Sequence, residues 1–110
     1  MNETQSTPTH LYINVDPDLR DLFPNYLFKR QNELKIIDSL VAEGKLKEIE
    51  FIGHKIAGNA GLFSLDEFSQ LGHLLEQAAR ACDSAQILEI STKMTEYLNR
   101  VQPAPDSISN

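Results

Sequence analysis

His54 is the residue of this chain best placed to do chemistry, and it sits in residues 48–76, EIEFIGHKIAGNAGLFSLDEFSQLGHLLE. Ile49, Ile52, Ile56, Ala60 and Phe63 recur at three- and four-residue spacing, as the buried stripe of an α-helix requires. At 100° per residue, His54 lies about 160° round the helix from both Ile52 and Ile56. A helix that buries those isoleucines therefore points the imidazole at water. Histidine as a residue type is suited to nucleophilic chemistry near neutrality when its ring is exposed and its helix holds it still. Gly58 and Gly61 follow at four and seven residues, on nearly the same face. Each costs a helix about 1 kcal/mol relative to alanine, so the pair calls for a reason. Access supplies one: a strip of helix without side chains lets a second protein approach the ring closely.

Other residues nearby divide between site and scaffold. A hairpin turning near Phe63 and Ser64 brings His73 opposite His54, where it is read as a solvated residue, as a hydrogen-bond partner for the His54 ring, or as half of a two-histidine metal site. No third ligand stands at matching height and the carboxylates show no metal-ligand spacing, so no metal or other intrinsic cofactor is expected. Phe51, one turn before His54, is either an exposed anchor for a partner or part of a wide core stripe. Leu62 is a similar case. Glu67 and Glu76 are read as structural, Cys82 as packing on a buried stripe, and Lys45, Lys47, Glu48 and Glu50 as a solvated face. His10 belongs to the N-terminal tail.

The elements that must position these residues can be taken in order. Leu11, Ile13 and Val15 alternate with polar neighbours, predicting a short extended lead-in rather than a strand, because no second strand is evident. Asp16 and Pro17 start a short helix that ends near Phe23. Pro24 restarts the chain into a helix over 24–43, with Leu27, Leu34, Ile37 and Val41 on one face and Lys29, Arg30, Glu33 and Asp38 on the others. Gly44 stops it. The His54 helix spans 45–62. Ser64 and Glu67 then read as a capping box for a helix over 65–81, buried through Leu65, Phe68, Leu71, Leu75, Ala78 and Cys82. Asp83 caps a last helix over 84–101, with Ile87, Met94, Leu98 and Val101 inward and Pro103 beyond its end. The class is all-α: an antiparallel up-down-up-down four-helix bundle with a short additional N-terminal helix. It occupies 11–102, with flexible tails at 1–10 and 103–110.

Composition agrees with one such domain. The chain has 110 residues, 41% of them apolar and 24% charged, enough for a single core. A net charge of −6 with no basic face argues against nucleic acid or an anionic membrane as partner. One cysteine excludes an internal disulfide, and the N-terminal residues show no signal pattern, so a cytoplasmic monomer is expected.

The pattern His54, Lys55, Ile56, Gly58, followed by Leu71, Gly72, Leu75 and Glu76 on the next helix, resembles the histidine-containing phosphotransfer (HPt) domains of phosphorelays. Two positions differ from the family pattern: Ala57 stands where lysine is usual, and Ser64 where glycine is usual. The first removes a cation expected beside the phosphoryl group and leaves Lys55 as the nearest basic residue in sequence. The resemblance implies a relay intermediate that accepts a phosphoryl group on His54 from a receiver-domain aspartyl phosphate and passes it to another receiver. Lys55, Ala57, Gly58 and His73 would surround the phosphoryl group, and Phe51, Gly58, Gly61 and Leu62 would meet the partner. It further implies response-regulator receivers as partners, with a hybrid histidine kinase as a further candidate, Mg²⁺ on the receiver and no kinase activity of the chain's own. With Ala57 in the lysine position, an alternative is an inhibitor or scaffold that binds a receiver or kinase through the same face without transfer.

Overall fold

In the computed structural model, residues 10–104 are described. Strand β1 (Leu11–Ile13) leads into a 3₁₀ helix (Pro17–Leu22), then α1 (Phe23–Lys35), α2 (Ile37–Ala42) and α3 (Leu46–Asn59). A 3₁₀ turn (Ala60–Phe63), α4 (Asp66–Arg80), α5 (Ser84–Arg100) and β2 (Val101–Pro103) complete the order. With α1 and α2 counted as one rod, four helical rods form the up-down-up-down bundle that the periodicity predicts. Its core is continuous from Phe23, Ile37 and Ile49 to Leu65, Phe68, Leu75, Ile87 and Met94, all essentially inaccessible.

The helix expected over 24–43 is interrupted at Ile36, whose amide returns to the carbonyls of Glu33 and Leu34. Leu34, Ile37 and Leu40 are the buried residues around that point, spaced every three residues. A period of three is tighter than the α-helical 3.6, and a local 3₁₀-like tightening accommodates it. Arg30, expected outside, is buried: its guanidinium lies 4.8 Å over the Tyr26 ring and its Nε is 2.8 Å from Glu33. Such stacking lets the arginine cover apolar surface without losing an acidic partner.

Three turns close alike. Gly44, Ser64 and Cys82 have φ of 72°, 62° and 57°. In each turn the next amide bonds back across six residues: Lys45 to the Leu40 carbonyl at 2.8 Å, Leu65 to Ala60 at 3.1 Å, Asp83 to Ala78 at 3.0 Å. This Schellman closure needs a left-handed residue after the helix, normally glycine. It corrects two expectations. Ser64 does not cap α4, because its backbone completes the preceding turn; the N-cap of α4 is the fully buried Leu65, with no side-chain cap bond. Cys82 is exposed rather than packed, because the same closure takes it out of the helical stripe. Asp16 and Asp83 do cap as expected, accepting from the amides of Asp18 and Gln86.

The lead-in also differs from expectation: Leu11, Tyr12 and Ile13 pair in parallel with Val101, Gln102 and Pro103. Val101 leaves the α5 helix with extended backbone and is buried, so apolar packing at the bundle's end creates the second strand that no alternating run announced. Proline is tolerated there because it ends an edge strand. The amide of Ala104 extends the pairing to the Ile13 carbonyl at 2.7 Å. The remaining residues of both expected tails, 1–9 and 105–110, lie outside the described residues.

Candidate functional site

The site is built where α3 and α4 touch. On α4, Ser69, Gly72, Glu76 and Arg80 recur at spacings of three, four and four and so form one stripe. On α3 they meet Glu50, Gly53, His54 and Ala57. Gly53 and Gly72 set the separation. A Cβ on Gly53 would stand 2.6 Å from both the Glu76 amide nitrogen and the Gly72 carbonyl oxygen. A Cβ on Gly72 would stand 2.7 Å from an Ile56 methyl and 2.9 Å from the Ala57 amide nitrogen. Backbone therefore lies against backbone, and the Ser69 hydroxyl adds a hydrogen bond to the Ala57 carbonyl at 2.8 Å.

This close approach carries Glu76 to His54. The imidazole is 71% exposed, while the Glu76 side chain is only 12% exposed; His54 Nδ1 lies 3.1 Å from Glu76 Oε2. Burial raises the pKa of Glu76, but the His54 hydrogen bond and charge, with Arg80 and His73, outweigh it and leave the carboxyl below its ordinary value. An ionised carboxylate only accepts, so Nδ1 carries a proton, and in the neutral ring Nε2 is then the nitrogen with the lone pair. No described residue bonds Nε2. The arrangement holds a solvent-facing nucleophilic nitrogen in a fixed direction.

The two flanks of the ring differ in character. On one side lies an open cleft of about 360 Å³ lined by Lys47, Glu50, Phe51, His54, Glu76 and Arg80. Arg80 there bonds Glu50 through Nε at 3.0 Å and Glu76 through Nη2 at 3.0 Å. On the other side, Ala57, Ser69, Gln70, His73 and Leu74 line a shallow, mostly apolar depression. Gly58 and Gly61 are exposed, and a Cβ on either would meet nothing within 4 Å. Phe51, Leu62 and Leu74 expose 60%, 64% and 47% of their surface.

The structure thus gathers His54, Gly58, Gly61 and Phe51 on one face, and Phe51 resolves as exposed. It separates Lys55 from them: the ammonium pairs with Glu33 Oε2 at 2.6 Å and lies 5.3 Å over the Phe51 ring, turned toward α1. His73 approaches Glu76 Oε1 at 3.8 Å, too far for a hydrogen bond, so the His54 partner is Glu76 and not His73. Gly53 with Gly72 and Ala57 with Ser69 pair about residue 63, and His54 with Glu76 and Glu50 with Arg80 about residue 65, so the hairpin turns close to where the sequence reading puts it. His73 misses the ring because it lies one residue round from Gly72, off the Ser69, Gly72 and Glu76 stripe that faces α3. Glu76, Glu50, Arg80, Gly53 and Leu74 are site residues that the sequence reading assigns to scaffold or leaves aside. The polar and small stripe on α4 is the signal that marks four of the α4 contacts.

Among the described residues, no group of three or more His, Cys, Asp or Glu side chains is placed to hold a metal ion, and no helix is long and apolar enough to cross a membrane. Neither the search of curated proteins nor that of solved structures returned a match to the chain. The family comparison matches the Hpt domain over residues 24–104, which include every residue of the site and all four rods but for Phe23 at the start of α1. Hpt domains carry histidine phosphotransfer in phosphorelays and interact there with receiver domains. With its match spanning most of its length, a four-helix bundle and a carboxylate-held histidine on an open helix face, this chain belongs to the Hpt domain family.

Proposed function

We propose that the chain is a phosphorelay intermediate that accepts a phosphoryl group on Nε2 of His54 from a receiver's aspartyl phosphate and returns it to another receiver. The observation that carries the reading is the exposed His54 ring with its Nδ1 held by the Glu76 carboxylate. In the forward step the Nε2 lone pair forms a bond to phosphorus as the phosphorus–oxygen bond to the aspartate breaks. The bonding electrons leave with the aspartate carboxylate. Positive charge develops on the ring and is stabilised through Nδ1–H by Glu76. The reverse sequence delivers the group onward.

Such a transfer depends on positioning and charge neutralisation, so one nucleophile on this partner suffices when the receiver contributes Mg²⁺ and a lysine. Gly58 and Gly61 leave room for the receiver to approach, while Phe51, Leu62 and Leu74 supply apolar contact around the ring. A hybrid histidine kinase with its own receiver fits the donor role, and the cytoplasm fits the location of both.

The test is incubation of wild type and His54→Gln with radiolabelled phospho-receiver domains, followed by acid and alkali treatment of any label transferred. Acid-labile, alkali-stable label on wild type alone is the expected result. Receiver binding by both proteins with label on neither would favour a non-transferring inhibitor or scaffold, the reading that Ala57 motivates.

A further inference from the structure

The phosphoryl group poses an electrostatic problem that His54 and Glu76 do not solve. It brings about −1.5 to −2 charge to a ring whose neighbours include two carboxylates, Glu76 and Glu50. Lys55, the nearest basic residue in sequence, is committed to Glu33 on α1. Ala57 offers no charge. Two cations line the cleft, Lys47 and Arg80. Lys47 is 95% exposed and reaches Glu50 only at 3.7 Å, so nothing holds it toward the ring. Arg80 is placed differently. Its Nη2 and His54 Nδ1 share one acceptor, Glu76 Oε2, at 3.0 and 3.1 Å, which puts Nη2 within about 6 Å of Nδ1, so that turning the side chain is what would carry it to a group on Nε2.

We infer that Arg80 is the cation that receives the phosphoryl group on His54, exchanging its Glu50 contact for phosphoryl oxygens, and that Glu50 sets how readily it is released. This rests on the phosphotransfer reading above and deepens it. The described bonds of Arg80 use Nε and Nη2 only, so the Nη1 edge is open to a further acceptor, and the side chain is 61% exposed and has room to turn. A planar guanidinium suits a phosphoryl group because paired N–H donors match its oxygens. Glu50 competes for the same donors through Oε2. Glu76 stays behind with the Nδ1 proton. The charge absent at position 57 on α3 is thereby supplied from α4, one turn beyond the carboxylate that orients the ring.

The experiment uses one radiolabelled phospho-receiver with wild type, Arg80→Ala, Arg80→Lys, Glu50→Gln, Lys47→Ala and the double variant Arg80→Ala/Ala57→Lys. Initial rate of labelling and half-life of the label are read for each, with thermal melting as a check on the fold. Arg80→Ala is expected to lower rate or half-life about tenfold, the scale of one charge-assisted hydrogen bond. Arg80→Lys should recover part of this and the double variant most of it. Glu50→Gln should raise it above wild type. Rescue by a lysine on the other helix is the decisive readout, because a lysine at 57 cannot restore a lost contact between Arg80 and Glu50. Equal labelling of wild type and a folded Arg80→Ala variant would overturn the inference alone, as would a loss confined to Lys47→Ala. Failure of the wild type itself to take label from receivers it binds would overturn the phosphotransfer reading, and this inference with it.

Discussion

Gly53 and Gly58 stand five residues apart on one helix and serve opposite ends. Gly53 is buried where α3 lies against α4, and any side chain there would collide with backbone. Gly58 faces open space, like Gly61. The first glycine brings Glu76 to His54; the second keeps the other side of His54 clear. A transfer site of the kind proposed needs both, one contact region closed to fix the nucleophile and one outer face open to admit the partner. Glycine supplies either, so its presence in a helix does not by itself say which.

The sharpest way to break the comparison is to add the same methyl group at both places. Gly53→Ala should destabilise the fold by about 2 kcal/mol net, because overpacking against rigid backbone outweighs the gain in helix propensity. Gly58→Ala should instead stabilise it by up to about 1 kcal/mol. Urea unfolding of the two variants beside wild type measures both. Equal effects would mean that the two glycines are not different in kind. Gly58→Leu takes the outer face further: the fold should remain at least as stable, while transfer from a phospho-receiver should slow about tenfold as the docking face is obstructed. Transfer at the wild-type rate would remove the access argument and leave the α3–α4 contact standing.

Two smaller effects sharpen the picture. Ser64→Gly should stabilise the hairpin by about 1 kcal/mol, since only glycine takes a left-handed backbone without strain. No gain in the denaturation midpoint would show that Ser64 has a compensating contact. The Glu76 carboxyl, held below its ordinary value despite burial, should titrate higher in His54→Gln than in wild type, as followed by carboxyl carbon NMR. Because the folded value is depressed, the contribution of Glu76 is fully present above the ordinary carboxylate range and is lost as pH falls through the lowered value. An unchanged titration would mean that Arg80 and His73, not His54, depress it.

Much of this was legible from periodicity. The stripe from Ile49 to Phe63 is buried as its spacing requires, Asp16 and Asp83 cap as their positions require, and His54 points outward because the isoleucines point inward. These are properties of one helix at a time. The residues that sequence reading missed belong to pairs of elements. Glu76 reaches His54 because Gly53 and Gly72 let α3 and α4 touch, a contact that neither helix announces alone. Lys55 turns away because α1 presents Glu33, a choice that α3 does not contain. Val101 pairs with Leu11 from the other end of the chain, with no local pattern to announce it. Cys82 follows a helical stripe in sequence, but the helix has already ended at Arg80.

The most direct test is the chemical identity of the phosphohistidine. Wild type charged by a phospho-receiver and labelled with ¹⁵N in its histidines would show, by phosphorus–nitrogen coupling in NMR, which ring nitrogen carries the group and on which residue. With Nδ1 committed to Glu76, phosphorus must appear on Nε2 of His54. Phosphorus on Nδ1, or on His73, would contradict the geometry from which the whole account of the site is built.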